Sequence, residues 1–180
     1  MIVEPFEAFL ACEFRVKFAT EAWERRGAAA LRRQVFCAEQ KLFTNDDRDA
    51  LDDVAIPLVA LSMMGVAADS VVGTVRIHEA EFGVWWGSRL AVARDYRRVG
   101  ALGSTLIRLA VSSAHARGCR RFLAHVQSQN APLFHRMAWR TLDEVDLHGR
   151  PHHFMEADLA FYPPFAQPET GFHALASRAA

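Results

Sequence analysis

Arg98-Val99-Gly100-Ala101-Leu102-Gly103 is the stretch on which the reading of this chain turns. It follows the apolar run Leu90-Ala91-Val92 and opens a helix pattern in which Leu102, Leu106, Leu109, Ala110, Val111 and Ala114 recur on one face. A strand that passes through a small-residue turn into a helix leaves backbone N–H groups unpaired at the helix start, where the dipole is positive. That combination is an anion site suited to a pyrophosphate. Gly100, Ala101 and Gly103 keep side chains out of the way, and Arg97 and Arg98 add charge beside it. A tight turn next to a solvated basic face fits the same six residues equally well. The surrounding chain separates the two readings.

Upstream, Phe14-Arg-Val-Lys-Phe18 alternates apolar and polar residues as a half-buried strand does. Thr20 can cap a helix carrying Glu21 and Glu24 in its first turn, with Trp23, Ala28, Leu31 and Val35 at helical spacing to about Gln40. An acidic loop, Asn45 to Asp53, follows. Strands are expected over 57–64, 71–78 and 84–92, then the loop helix to Arg117 with Gly118 as its C-terminal stop. A short buried strand covers 122–127, Asn130 and Pro132 start another helix, and two strands near 141–147 and 153–159 meet at a turn, 148–151. The order is β-α-β-β-β-α-β-α-β-β, an α/β (α+β) chain with one mixed sheet and helices on both faces. Residues 1–162 read as a single domain, and from Pro163 the pattern dissolves into what reads as a mobile C-terminal tail, 163–180.

Composition bounds the partners. With 51% hydrophobic and 23% charged residues over 180 positions the chain is globular and long enough for a real core. Its 21 Lys plus Arg balance its 21 Asp plus Glu, so nothing points to nucleic acid or to an anionic membrane, and any polyanion site must be local. Cys12, Cys37 and Cys119 are widely spaced and odd in number, as expected of reduced thiols in the cytoplasm. The N-terminus carries acids and lacks a basic region, unlike a signal peptide, and the apolar stretch Val54–Ala68 is too short to span a bilayer.

The loop Arg98-x-x-Ala101-x-Gly103 resembles the coenzyme A loop of the GNAT acetyltransferase superfamily, Arg/Gln-x-x-Gly/Ala-x-Gly/Ala. GNAT domains share the element order above and carry that loop after the fourth strand, so the resemblance runs from about residue 14 to residue 160. Asn130-Ala-Pro-Leu-Phe134-His-Arg-Met-Ala-Trp139 is similar to the superfamily segment Asn…Leu-Tyr-x-Lys-x-Gly-Phe, with phenylalanine in place of tyrosine at 134. Gly149-Arg-Pro-His-His-Phe-Met155 resembles the ending of the ElaA-type branch. Leu31-Arg-Arg-Gln-Val-Phe36-Cys-Ala-Glu39-Gln40, Asp49-x-x-Asp52, Gly73-Thr-Val-Arg76 and Ser88-Arg89-x-Ala-Val92 look like motifs shared by ElaA-type proteins and acyl-homoserine-lactone synthases. The synthases usually have a glutamate where this chain has Trp86, which speaks against lactone synthesis. Taken whole, the chain is most similar to a bacterial GNAT family named for nitrogen starvation, through Val72–His78 and Trp85–Val92.

The resemblance implies a GNAT fold, acetyl-CoA as co-substrate, and direct transfer to an amine, a small molecule by the family name, in a ternary complex. It implies that Leu90, Ala91 and Val92 offer their backbone to the pantetheine arm. It also places Arg97, Arg98, Val99, Gly100, Ala101, Leu102, Gly103 and Ser104 at the pyrophosphate, with Asn130 and Phe134 beside the coenzyme. Phe134 cannot protonate a leaving thiolate as tyrosine can, which keeps open an acyl-CoA-binding sensor without turnover. GNAT domains are often dimers, so a homodimer is admitted.

For the base that takes the ammonium proton the candidates are Glu39, Glu79 and Glu81. Glu39 ranks first because it follows an apolar helix, with a helix-end salt bridge as its plain alternative; Glu79 and Glu81 sit in a hairpin turn, where a solvated acid is the commoner outcome. Arg76 and Arg89 fall on strands and need partners such as Asp49, Asp52 or Glu39; the functional alternative is a fork for a substrate carboxylate. One of Trp85 and Trp86 is core and the other, Trp86, is a candidate for the acceptor cleft. His148, His152 and His153 are separated by Gly149 and Pro151, which removes helical ligand spacing, and no metal is expected.

Overall fold

The computed structural model describes residues 10–99 and 101–176. Its strands are β1 (Glu13–Phe18), β2 (Ile56–Met64), β3 (Ala67–Glu81), β4 (Val84–Val92), β5 (Arg121–Gln127), β6 (Trp139–Leu147), β7 (Arg150–Ala157) and β8 (Phe172–Leu175). Its helices are α1 (Ala22–Arg32), α2 (Leu102–Ala116) and α3 (Ala131–Arg136). The strands form one sheet in the order β6-β7-β5-β4-β3-β2-β1-β8. Every pairing is antiparallel except β4 with β5, which α2 connects by a crossover.

The helices cover both faces, as the pattern predicts. Leu102, Leu106, Leu109, Ala110, Val111 and Ala114 of α2 are all buried, in one cluster with Phe14, Val16, Leu58, Val75, Ile77 and Phe122 of the sheet. On the opposite face Ala28 packs with Val59 and Leu61, and Leu31, Val35 and Phe36 pack with Ala91. Beyond Arg32 the first helix widens into π-helical turns, Arg33–Glu39. Gly118 adopts φ +86° after α2 and the Cys119 amide returns to the Ala114 carbonyl, the expected stop.

Two expectations are corrected. Glu21, not Thr20, is the N-cap of α1: its amide donates to Glu24, while the Thr20 hydroxyl accepts from Lys17. Within the segment read as a mobile tail, Phe172–Leu175 forms a strand of the sheet. The Phe165 amide donates to Ser112, the Phe18 amide to Pro168, and Phe172–Leu175 pairs with β1 as the edge strand β8. Four residues with Gly on one side and Ala-rich sequence on the other carry too little periodicity to announce a strand.

Candidate functional site

The two central strands part company halfway along. β4 and β5 pair only from Val84–Gly87 to Arg121–Ala124. Past that point β4 stays with β3 through Val92, and β5 stays with β7 through Gln127. A β-bulge begins the separation: Thr74 faces Ala91 and Arg76 faces Ser88, so Val75 alone opposes both Arg89 and Leu90. Arg89 takes the left-handed conformation, φ +56°, that the bulge needs. Its guanidinium is held for it, donating to the Asp47 carboxylate (2.9 Å) and carbonyl (3.0 Å) and lying 4.6 Å over the Phe43 ring. Leu90, inside the bulge, is outside the β3 ladder and lines the resulting fork, whereas Ala91 is buried and paired.

The coenzyme-type loop lies at the wide end of the fork. Ala101 is left-handed (φ +50°) and α2 starts at Leu102, whose side chain is buried as an anchor. The hydroxyls of Ser104 and Thr105 both donate back to the Ala101 carbonyl, and the first-turn amides of an α-helix point out of its N-terminal end. A Cβ built on Gly103 meets nothing within 4 Å, so the space in front of the helix is open. Arg97 donates to the Val92 carbonyl (3.0 Å) and pairs with Glu39 (2.5 Å), Arg98 is exposed, and the Val99 amide returns to Tyr96. Gly100 lies outside the described residues. On the other arm, Asn130 and Phe134 line the cavity from α3. Phe134 sets its ring edge-on to Trp139 at 5.0 Å. Tyr162 is no substitute for a tyrosine here: it is fully buried, donates to the Met137 carbonyl (2.6 Å), accepts from Trp139, and burial pushes it up to about 12.

A cavity of about 400 Å³ runs through the fork to the α1 side. Its floor there is Trp86, stacked on Phe154 (5.6 Å, 11° between planes), and His125, whose ring tilts against both. Phe36, Leu42, Phe43 and Leu51 form its roof. The roof is tied down where Gln40 accepts from Gln127 (2.9 Å) and, through its carbonyl, from Arg150 (2.7 Å). Beneath lies a charge lattice. Arg76 is bidentate on Asp49 (2.7 Å each) and also reaches Asp52 and Ser88; Arg32 joins Asp47 to Asp52; Arg89 joins Asp47 to Asp49. The Arg76 bonds hold Asp49 below the usual carboxylate range; at Asp52 burial pulls upward and the arginine bonds outweigh it. Arg76 and Arg89 are therefore spoken for by aspartates, the structural alternative, though both still line the cavity.

None of the three glutamates lines that cavity. Glu39 ends the π-helical turns in its pair with Arg97. Glu79 accepts from the Gly83 amide in the β3–β4 turn, and Glu81 is exposed there. Histidines line the cavity instead: His78, His125, His148 and His152. His125 is the first β5 residue past the fork, level with Ser88 on the facing arm. His125 is exposed at one side, and partial desolvation against the cavity wall, then the neighbouring His152, lowers its pKa; burial and Arg76 lower that of His78, whose Nδ1 has no hydrogen-bond partner among the described residues. The sequence carried a signal for these: Arg76-x-His78 puts both side chains on one strand face, and His125 alternates with the core residues Ala124 and Val126. Among the described residues no group of three His, Cys, Asp or Glu is placed to hold a metal ion.

A forked mixed sheet with a helix N-terminus at its open end is the architecture of a GNAT-type acyltransferase. The family description Acetyltransferase (GNAT) family matches residues 16–139, and the chain belongs to that family, whose acyl donor is an acyl-CoA. Solved structures agree on the fold. A Lactobacillus plantarum protein assigned as an N-acetyltransferase superposes with a TM-score of 0.71 at 22% identity, over 80% of this chain and 97% of its own. Escherichia coli ElaA gives 0.66 at 17%, over 82% and 99%. BjaI, a CoA-dependent acyl-homoserine lactone synthase, gives 0.68 at 16%, over 88% and 94%. No curated protein sequence matches the chain.

Proposed function

We propose that this protein transfers an acetyl group from acetyl-CoA to the amine of a small molecule by direct attack in a ternary complex. The observation that carries the reading is the fork: a strand pair that opens beside the N-terminus of α2. The pyrophosphate is held by the amides of Leu102, Gly103 and Ser104, with Arg97 and Arg98 at its edge. The pantetheine arm lies along Leu90, Ala91 and Val92, and Asn130 and Phe134 line its other side. An amide freed by the bulge polarises the thioester carbonyl, where the oxyanion develops.

The amine nitrogen attacks the thioester carbon, the C–S bond breaks, and the proton released from nitrogen ends on the coenzyme thiolate. His125 is the group placed to take that proton, because it stands at the fork and its lowered pKa keeps it neutral at pH 7. Glu39, Glu79 and Glu81 remain candidates only for roles outside the cavity. Trp86, Arg76 and Arg89 shape the acceptor side. Acetyl-CoA is the commonest acyl-CoA and serves the nitrogen-linked acetylation that the resemblance implies, in the cytoplasm where the coenzyme pool resides. No described helix is long and apolar enough to cross a membrane.

Calorimetric titration with acetyl-CoA tests the reading, repeated on Gly103→Trp. Because the Gly103 position opens into empty space, tryptophan there blocks the anion site without disturbing the core. Saturable binding weakened at least about tenfold by the substitution is expected, since it removes the close approach of phosphate to backbone. Absence of binding in the wild-type protein rejects the proposal. Binding with no thiol release on any amine favours instead the sensor reading that Phe134 keeps open.

A further inference from the structure

We infer that the acceptor is a flat aromatic or heteroaromatic primary amine, seated on Trp86 with its weakly basic nitrogen at the fork. The inference rests on the acyl-transfer reading above and adds the class of substrate. Its first support is shape. The acceptor side of the cavity is lined by the aromatic Trp86 and His125 of the sheet and by Phe36, Leu42, Phe43 and Leu51. One face of Trp86 is already stacked on Phe154, which fixes the plane of the ring that the cavity presents. The roof is tied to β5 and β7 through Gln40, so this side of the cavity is built in advance.

The second support is charge. An alkylammonium, polyamine or lysine side chain entering here would need a carboxylate to replace its water. Among the described residues Asp49 is the only acid in the lining. Its Oδ1 already accepts from Arg76 and the Leu51 amide, and its Oδ2 from Arg76 and Arg89. Aromatic walls can attract cations, but the Phe43 and Phe36 rings already lie under the Arg89 guanidinium at 4.6 and 6.0 Å. A second cation would sit beside Arg76 and Arg89. An amine conjugated to an aromatic ring is neutral at pH 7 and meets neither penalty.

The third support is the chemistry. An alkylammonium must lose a proton before it can attack, which calls for a base on the acceptor side; among the described residues no free carboxylate stands there. An arylamine attacks as it is. Only after its nitrogen bonds to the thioester carbon does it become acidic, and then a neutral imidazole suffices to move the proton to the departing thiolate. Net, arylamine and acyl-CoA give anilide and coenzyme A thiol. The histidine at the fork and the missing glutamate are two sides of one specificity.

Thiol release from acetyl-CoA should be followed with aniline and 3-aminoquinoline against cyclohexylamine, whose ring is similar in size but puckered and charged at pH 7. In parallel, acetyl-CoA binding is measured by calorimetry. The expected result is a kcat/KM at least about tenfold higher for the aromatic amines. In Trp86→Leu that ratio should collapse to near unity, and in Trp86→Phe it should persist, since the stacking face is kept. The wild-type comparison decides by itself even if the leucine variant does not fold. Acetyl-CoA binding with equal or better use of cyclohexylamine, with no turnover of either aromatic amine, or with a ratio unmoved by Trp86→Leu overturns the inference and leaves the coenzyme site standing. No binding of acetyl-CoA overturns both.

Discussion

His125 follows the last residue of β5 that pairs with β4, and the chemistry of the site depends on what surrounds it. Trp86 lies alongside it from β4, Phe154 and His152 from β7, and the Arg76–Asp49 pair, with His78, sits on the β3 side. These neighbours set a pH profile. A base works when neutral, and a pKa below the ordinary 6.5 means neutrality is reached at lower pH. With an arylamine, kcat/KM should rise along an acid limb whose midpoint lies below 6.5 and stay flat through neutrality. His125→Gln should lower kcat/KM by about 100-fold and remove the limb, while acetyl-CoA binding by calorimetry is retained. An unchanged limb in the variant would assign the proton to another group. Sequence ranked Glu39 above any histidine because motif position and helix context are legible along a chain, whereas the Arg97 pair that occupies Glu39 spans fifty-eight positions.

Secondary-structure elements show a different balance. The α2 helix and its loop could be read from small residues, arginines and one apolar stripe, and the parallel β4–β5 connection follows from placing a helix between two strands. The last strand could not. β8 exists because β1 has an unpaired edge, and Gly171 lets the chain turn onto it. Gly171 has φ +69°, and a Cβ there would run into the Val16 carbonyl oxygen. Gly171→Ala should therefore destabilise the protein by about 2 kcal/mol or more in urea unfolding. It should also speed amide exchange in Glu13–Val16, the stretch of β1 that β8 covers. Full protection of β1 in the variant would show that the edge strand contributes little.

At the scale of the molecule, three arginines and three aspartates drawn from α1, the 47–52 loop, β3 and β4 tie the α1 face of the sheet together. Asp47 is 2% exposed and serves both Arg32 and Arg89, so the lattice is neutral only as a whole. Its acids give stability a pH dependence with a definite sign. Asp49 is lowered by Arg76, Asp52 by Arg32 and Arg76 against burial, Glu24 by Lys17 against burial, and Glu156 by Arg121 and Arg140. A carboxylate lowered in the folded state stabilises it above the ordinary values of 3.8 and 4.5, and that stabilisation is lost as pH falls through the folded value. The lowered pKa values of His78 and His125 act in the same direction, because the unfolded chain binds their protons first. Urea midpoints should be level at neutral pH, begin to fall as pH drops below about 6.5, and fall most steeply below about pH 4. A midpoint that stays level from pH 4 down to about pH 2 would show that the lattice contributes nothing.

By itself the sequence determined the element order through β7, the two apolar helix faces, the small-residue loop at the start of α2 and the partners available to Arg76. All of these are periodicities or short-range patterns, set by backbone geometry and the hydrophobic effect. Only the tertiary structure decided where β4 and β5 part, that the bulge rests on Arg89, that the three candidate glutamates stand outside the cavity and the histidines inside it, and that Phe172–Leu175 forms the edge strand beside β1. Those outcomes depend on contacts between residues far apart in the chain, where packing and charge compensation choose among partners that local pattern leaves equivalent.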